Sequence, residues 1–286
     1  YDSNRSNTFD NFKINAARYS YNVSTSSQLL YVLERASKPI VESGSEAETI
    51  YNKAKEILRE IVDDRMTNVE KVKAIHDYLV LNICYDAALY NKMFEPCDDL
   101  KQYRGFFLEG ALLDNRAVCE GISKAMCVLC NIEGIPCVCV TGYQTKNPKG
   151  AGHAWNKVLI DSKWYVIDAT SDGTIINGKY EILSYKYFLI SESKMRELYT
   201  ENDYKEIICS SNYDYFKEFK FDSTNDFDAE SLDELVDILK YFDSYKGSNA
   251  TIQFRLSYSN NFSEEINNAF HKIGKSASYT FAQNGD

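Results

Sequence analysis

Cys119, His153 and Asp168 are the three residue types that nucleophilic acyl transfer requires: a thiol to attack, an imidazole to carry the proton, and a carboxylate to orient the ring. The chain has only 3 His, so each can be weighed singly. His76 sits beside the apolar stripe of a helical pattern and reads as structural. His271, next to Lys272, reads as solvated. His153 opens a strand in Gly150-Ala151-Gly152-His153-Ala154-Trp155-Asn156, with small residues ahead of it leaving room for a substrate. Cys119 falls in the first turn of an expected helix, in Arg116-Ala117-Val118-Cys119-Glu120-Gly121. A helix N-terminus stabilises an anion, which favours the thiolate, and Arg116 adds positive charge nearby. The same N–H groups suit an oxyanion hole, and Gly121 permits close approach of another chain segment.

Strand geometry brings in the third member. Asp161-Ser162 is a natural two-residue hairpin turn. That turn pairs Ile160 with Lys163, Trp155 with Asp168 and His153 with Thr170. His153 and Asp168 then share a face as diagonal neighbours about 7–8 Å apart at the backbone. A register slip of one residue would put them on opposite faces.

The elements that must position these groups are legible from capping and periodicity. Thr25 to Gln28 is a capping box opening a helix over Ser26–Ala36, with Pro39 following as a stop. A second box, Ser45 to Glu48, opens a helix to about Asp63 whose apolar stripe is Ala47, Ile50, Tyr51, Ala54, Ile57, Leu58 and Ile61. A third, Thr67 to Glu70, starts a helix with Val69, Val72, Ile75, Leu79, Val80 and Ile83 inward. Residues 86–111 lose periodicity and read as a long loop, a lid or binding wall. A helix over Val118–Asn131 precedes strands Cys137–Tyr143, His153–Ile160 and Lys163–Thr170, then a short strand or turn from Ser184 and a helix near Ser193–Leu198. Past residue 220 the texture changes to a small α/β tail: helix from Ser231 to Tyr241, strand Thr251–Tyr258, helix Ser263–Ile273, strand Ser278–Phe281. The tail's first helix faintly echoes Ser26 to Leu33. The expected domains are 1–44, 45–220 and 221–286.

Composition bounds the rest. The 286 residues are 44% hydrophobic and 26% charged, a globular mix that excludes wholesale disorder. The longest apolar run, Ala125 to Val140, is broken by Asn131 and Glu133, so no membrane insertion is expected. A formal charge of -10 argues against nucleic acid as a partner. The first residue is Tyr1, which reads as a mature or trimmed N-terminus of a secreted or cell-envelope protein. The 8 Cys are not needed as staples in a chain of this size. Cys127, Cys130, Cys137 and Cys139 read as small buried hydrophobes, with a zinc site or disulfide as alternatives; C-x-C is a poor chelate spacing. Cys84, Cys97 and Cys209 are scattered.

These residues together resemble a known family. Val118-Cys119-Glu120-Gly121, Gly134-Ile135-Pro136, Thr141-Gly142, His153-Ala154-Trp155-Asn156 and Trp164-Tyr165-Val166-Ile167-Asp168-Ala169-Thr170 are similar to the transglutaminase-like core of bacterial proteins. Lys71 to Leu79, ending at Tyr85-Asp86, resembles the helix before that core, and Tyr187-Phe188-Leu189-Ile190 the segment after it. The resemblance implies a papain-like α+β fold, with Cys119 as nucleophile, His153 as general base and acid, and Asp168 as orienter. Where related enzymes hold the oxyanion with Gln or Trp, the matching region offers Tyr85. Trp155 and Gly152 are candidates for the substrate cleft, though Trp155 and Trp164 suit sheet packing better than a substrate wall. No metal, calcium or other cofactor is expected.

The implied activity is a thiol-dependent amide hydrolase or acyltransferase acting on a protein or peptide, including a cell-wall or surface protein, through an acyl-thioester on Cys119. Two alternatives stand beside it: a catalytically inactive binding or scaffolding protein of the cell surface, and a peptide:N-glycanase-type deglycosylating amidase.

Overall fold

The computed structural model describes residues 19–92, 102–146, 152–172, 175–176, 179–180 and 187–209, and in the tail 228–229, 231–236, 239, 255–256, 258–259 and 261–274. The chain divides into two compact units, Tyr1–Asp214 and Tyr215–Asp286.

In the first unit β1 (Ser20–Val23) and β2 (Lys38–Val41) flank α1 (Ser26–Glu34) and pair in parallel. Neither strand was expected. Pro39 does not merely stop the helix; it lies in a two-stranded sheet that is all edge, where its missing N–H is tolerated. Thr25 and Gln28 form the reciprocal cap of α1. α2 (Glu46–Ile61) is capped by the Ser45 hydroxyl and buries Ala47, Ile50, Ala54, Ile57 and Leu58 along one face. α3 (Asn68–Asn82) opens on the Thr67–Glu70 box and buries Val69, Val72, Ile75, Leu79 and Val80, with His76 among them.

Where it is described, the stretch 86–111 read as a long loop instead holds short pieces: α4 (Ala87–Lys92), a 3₁₀ turn at Arg104–Phe106 and α5 (Leu108–Leu112). It is flanked by β3 (Cys84–Tyr85) and β4 (Arg116–Ala117). β3 and β4 pair in parallel with Tyr85 opposite Ala117, and β3 also pairs with β8 (Ile175–Ile176), which pairs with β9 (Lys179–Tyr180). Cys97 and the rest of 93–101 lie outside the described residues, as does Ser184.

α6 (Cys119–Ile132) is the centre of the unit. Ten of its residues are buried, as befits a helix covered all round. It packs on α1, α3 and α5, and on β5 (Cys137–Gln144) and β6 (Gly152–Ile160) of the main sheet. Gly121 is where the close approach happens: a Cβ there would strike Gly105 O and sit 2.9 Å from the Ala117 Cβ.

That sheet is antiparallel, in the order β10 (Tyr199–Glu201), β5, β6, β7 (Lys163–Ile167). The β6–β7 turn is Asp161-Ser162, with φ of 48° and 68°, the left-handed pair that a tight primed hairpin demands. Its register pairs Ile160 with Lys163 and Asn156 with Ile167, as the two-residue turn dictates. β7 ends at Ile167, so Asp168 lies just beyond it rather than within a strand running to Thr170. α7 (Glu192–Arg196) is shorter than the expected Ser193–Leu198 helix and is capped by Ser191.

In the second unit β11 (Asp228–Ala229) and β12 (Arg255–Leu256) pair in parallel, residues 232–236 are helical, and α8 (Phe262–Ile273) ends on Gly274 with φ 72°. Ala229, Leu235, Val236, Leu239 and Ala269 form its core. The strand expected at Ser278–Phe281 lies outside the described residues. No helix among the described residues is long and apolar enough to cross a membrane.

Candidate active site

Three elements deliver three side chains to one place. α6 carries Cys119 at its first position, and the N-cap residue Val118 supplies no side-chain acceptor to its first turn. β6 carries His153 at its opening end, and the hairpin returns the chain so that Asp168 follows the last residue of β7. His153 Nε2 lies 2.6 Å from Asp168 Oδ2. The Cys119 thiol lies close enough to the same ring to raise its proton affinity. Cys119 is 8% exposed and the His153 side chain 11%, so little of either faces solvent.

Electrostatics favour a charged ring. Burial alone would lower the proton affinity of His153, but the Asp168 carboxylate and the Cys119 thiol outweigh it and raise the pKa to about 10. For Asp168, burial acts upward and is outweighed by His153 and Ser171, so its pKa falls below the usual carboxylate range. Ser171 donates from its hydroxyl to Asp168 Oδ2 at 2.6 Å and from its N–H to Oδ1 at 3.1 Å.

Tyr199 of β10 was not singled out from the sequence. It stacks on His153 with ring centroids 4.6 Å apart and 28° between planes, and Trp155 stacks against the same imidazole at 5.9 Å. Trp155 is 1% exposed and belongs to the core with Val138, Val140 and Val166, so it is no wall of a substrate cleft. It underlies His153 instead. Gly142, opposite His153 in the register, makes room for that indole: a Cβ would lie 2.5 Å from Trp155 Cη2. Trp164 packs partly buried against the same core. Gly152 is exposed at the strand opening. Arg116 is exposed on β4, where water screens its charge.

Tyr85 reaches the neighbourhood through β3, whose pairing sets it beside Ala117, two residues before Cys119. Its ring is half-buried and lies 6.1 Å from that of Tyr90. Burial, then the sulfur of Cys119, push its phenol far up, so it stays a donor at any physiological pH. Asp168-x-x-Ser171 was a readable turn signal for the second partner of the carboxylate. Tyr199 and the β3–β4 pairing carried none.

A separate cluster brings a Glu34 oxygen and the sulfurs of Cys127 and Cys139 within 4.8 Å of one another, a set that could hold a metal ion. It differs from the four-cysteine site considered from spacing, because Glu34 comes from α1. Cys127 Sγ donates to Cys137 O at 3.0 Å and Cys139 Sγ to Ser123 O at 3.3 Å. Burial holds the Cys127 thiol well above its ordinary value; the contact with Cys127, then burial, does the same for Cys139. A divalent cation would have to displace both protons. The described cysteines are all free thiols.

Residues 55–169 match the family model of the transglutaminase-like superfamily. That segment is similar to a transglutaminase-like core. The superfamily includes cysteine peptidases and transglutaminases. Kyphoscoliosis peptidase of Homo sapiens is 24% identical over 155 residues, covering 48% of this chain and 21% of the relative. The Mus musculus protein of that name is 22% identical over 162 residues, covering 50% and 22%. The chain thus spans about a fifth of the length of these relatives. The crystal structure of a TGase superposes with a TM-score of 0.41 at 23% identity, over 49% of this chain and 35% of the other. Cys119, His153 and Asp168 all lie within the segment matched by the family model.

Proposed function

We propose that the transglutaminase-like core is a thiol-dependent amide hydrolase or acyltransferase acting on protein or peptide amides. The observation that carries this is an imidazole bonded to a carboxylate at 2.6 Å, with a helix-N-terminal thiol near enough to raise its pKa. His153, kept protonated by Asp168, pairs with the Cys119 thiolate. The thiolate attacks the amide carbonyl and the C–S bond forms. The N–H groups of the first turn of α6 then face the oxyanion, with the Tyr85 phenol as a further donor. His153 gives its proton to the departing amine as the C–N bond breaks, leaving an acyl-thioester. Water or a second amine next attacks the thioester, His153 takes the proton of the attacker, and the thiolate is regenerated with its imidazolium.

Water gives cleavage; an amine gives a new amide. The name of the curated relatives, a peptidase, favours water. The test is to incubate the protein with glutamine-containing donor and amine acceptor peptides, following cleavage and cross-linking together. Cys119→Ala is expected to remove both activities. Equal turnover by the wild type and the variant would overturn the assignment, and a predominance of cross-links would make the enzyme a transferase.

A further inference from the structure

His76 takes no part in the acyl transfer, yet it is fully buried with a carboxylate on each ring nitrogen. Nδ1 meets Asp77 Oδ1 at 3.0 Å and Nε2 meets Asp172 Oδ2 at 3.1 Å. Lys73 holds the other oxygen of Asp77 at 2.6 Å, and Phe188 packs against the imidazole with centroids 5.0 Å apart. A neutral imidazole has one N–H and can donate to only one of these carboxylates; the imidazolium donates to both. With Lys73 and His76 positive and Asp77 and Asp172 negative, the four groups together close to zero charge. Burial alone would lower the pKa of His76, but Asp172 and Asp77 outweigh it and raise it to about 9. Asp172 is pushed up by burial to about 6, which leaves it mainly ionised at neutral pH.

Asp172 ties this group to the reactive site. Its N–H donates to Asp168 O at 3.2 Å, and the Ser171 N–H donates to the same carbonyl at 3.1 Å, so residues 168–172 are one closed turn. Tyr187 grips both ends of that turn. Its N–H donates to Asp172 Oδ1 at 2.7 Å, and its carbonyl accepts from the Asp168 N–H at 3.1 Å. The hydroxyl of Ser171, inside the turn, donates to the carboxylate oxygen that also receives His153. Asp172 and Asp168 are thus joined through the turn and through Tyr187.

We infer that His76 is a positioning residue for the acyl-transfer site: by bridging Asp77 of α3 to Asp172, it locks the 168–172 turn and so holds the Asp168 carboxylate against His153. A purely structural histidine would need only a filled cavity. This one holds, through two carboxylates, the segment that orients the reactive ring. The inference rests on Cys119, His153 and Asp168 being the reactive set.

The test reads the thiol directly. Cys119 alkylation by iodoacetamide is followed by peptide mass mapping from pH 5 to 9 in the full chain, beside thermal unfolding. The samples are the wild type, His76→Gln, Asp172→Asn, and Thr67→Ala as a control that weakens α3 at its cap, away from the site. The groups around the reactive pair that titrate or carry charge are Asp168, Tyr85 and Tyr199; around His76 they are Asp77, Asp172 and Lys73. The wild type is expected to be alkylated at Cys119 already near pH 6. His76→Gln and Asp172→Asn are expected to unfold cooperatively, yet to lose about tenfold of that rate at pH 6, the profile moving up by about one pH unit. Thr67→Ala is expected to keep the wild-type profile. A folded His76→Gln with an unchanged profile overturns the inference while leaving the reactive set intact. If His76→Gln does not fold, an unchanged profile in Asp172→Asn overturns it equally. An unreactive Cys119 in the wild type overturns the acyl-transfer reading itself.

Discussion

Asp168 is gripped by three donors: His153 Nε2 at 2.6 Å, the Ser171 hydroxyl at 2.6 Å and the Ser171 N–H at 3.1 Å. A carboxylate that is 1% exposed and so well satisfied stays ionised and keeps the imidazole charged and aimed. Asp168→Asn keeps the shape and forfeits the charge. Its expected effect is a fall in kcat of about 10³–10⁴-fold with a smaller change in KM, measured by steady-state kinetics on the preferred donor peptide. A kcat within about threefold of wild type would show that orientation by Asp168 is dispensable. The types and spacings of Cys119, His153 and Asp168 were readable because a helix start and a two-residue hairpin are local devices. Tyr199 was not, since nothing near it in the chain marks it as the residue that lies on His153.

Lys157 of β6 fastens the 190–209 segment to the sheet. Fully buried, it meets Glu192 Oε1 at 3.1 Å, Glu201 Oε2 at 3.1 Å, Tyr204 O at 3.0 Å and Ile207 O at 2.8 Å. That segment includes β10, hence Tyr199 over His153. Lys157→Met leaves Glu201 buried without its cation, while Glu192 retains Arg196 at 3.1 Å. The expected loss is about 3–5 kcal/mol, read from urea unfolding. A loss under about 1 kcal/mol would mean that water already reaches these carboxylates. Alternation along His153–Ile160 reads as an ordinary strand and gives no hint of a buried ammonium, because its partners arrive from downstream. The short pieces between 84 and 117 were missed for a different reason. A five-residue helix turns too few times to show a period, and a two-residue strand has none.

The molecule as a whole combines two buried histidines of raised pKa, and this sets how its stability responds to pH. His76 and His153 titrate near 6.5 when unfolded, and near 9 and 10 when folded. A raised folded pKa means that the stabilising contribution is complete below about 6.5 and is lost as pH rises through the folded value. Asp172, raised to about 6, gives up stability as pH climbs from about 4 to 6. Buried Cys127, Cys137 and Cys139, with thiols held up mainly by burial and by contacts with one another, add to the loss at alkaline pH. Asp168 and Asp77 work the other way: their depressed pKa values make a contribution that is present above about 4 and disappears as pH falls. Urea midpoints are therefore expected to decline steadily from pH 6.5 to 9.5, and less steeply in His76→Gln. A midpoint that rises over that window would contradict the charged state of both rings.

The capping boxes, the inward stripes of α2 and α3, the β6–β7 register and the α+β class all follow from interactions a few residues long, which are the same in the chain as in the fold. So does the pairing of an imidazole with a carboxylate 15 positions away, since one tight turn sets it. Other features needed the packed molecule. His76 becomes a charged bridge only when Asp172, 96 positions away, reaches it, and Lys157 becomes a buried cation only when Glu201 does, 44 positions on. Tyr85 comes beside the sulfur through a strand pairing of two residues. Trp155 packs in the sheet core beneath His153. Each of these is a matter of desolvation, and which polar groups lose water together depends on how distant segments close over one another, not on the residues adjoining any one of them.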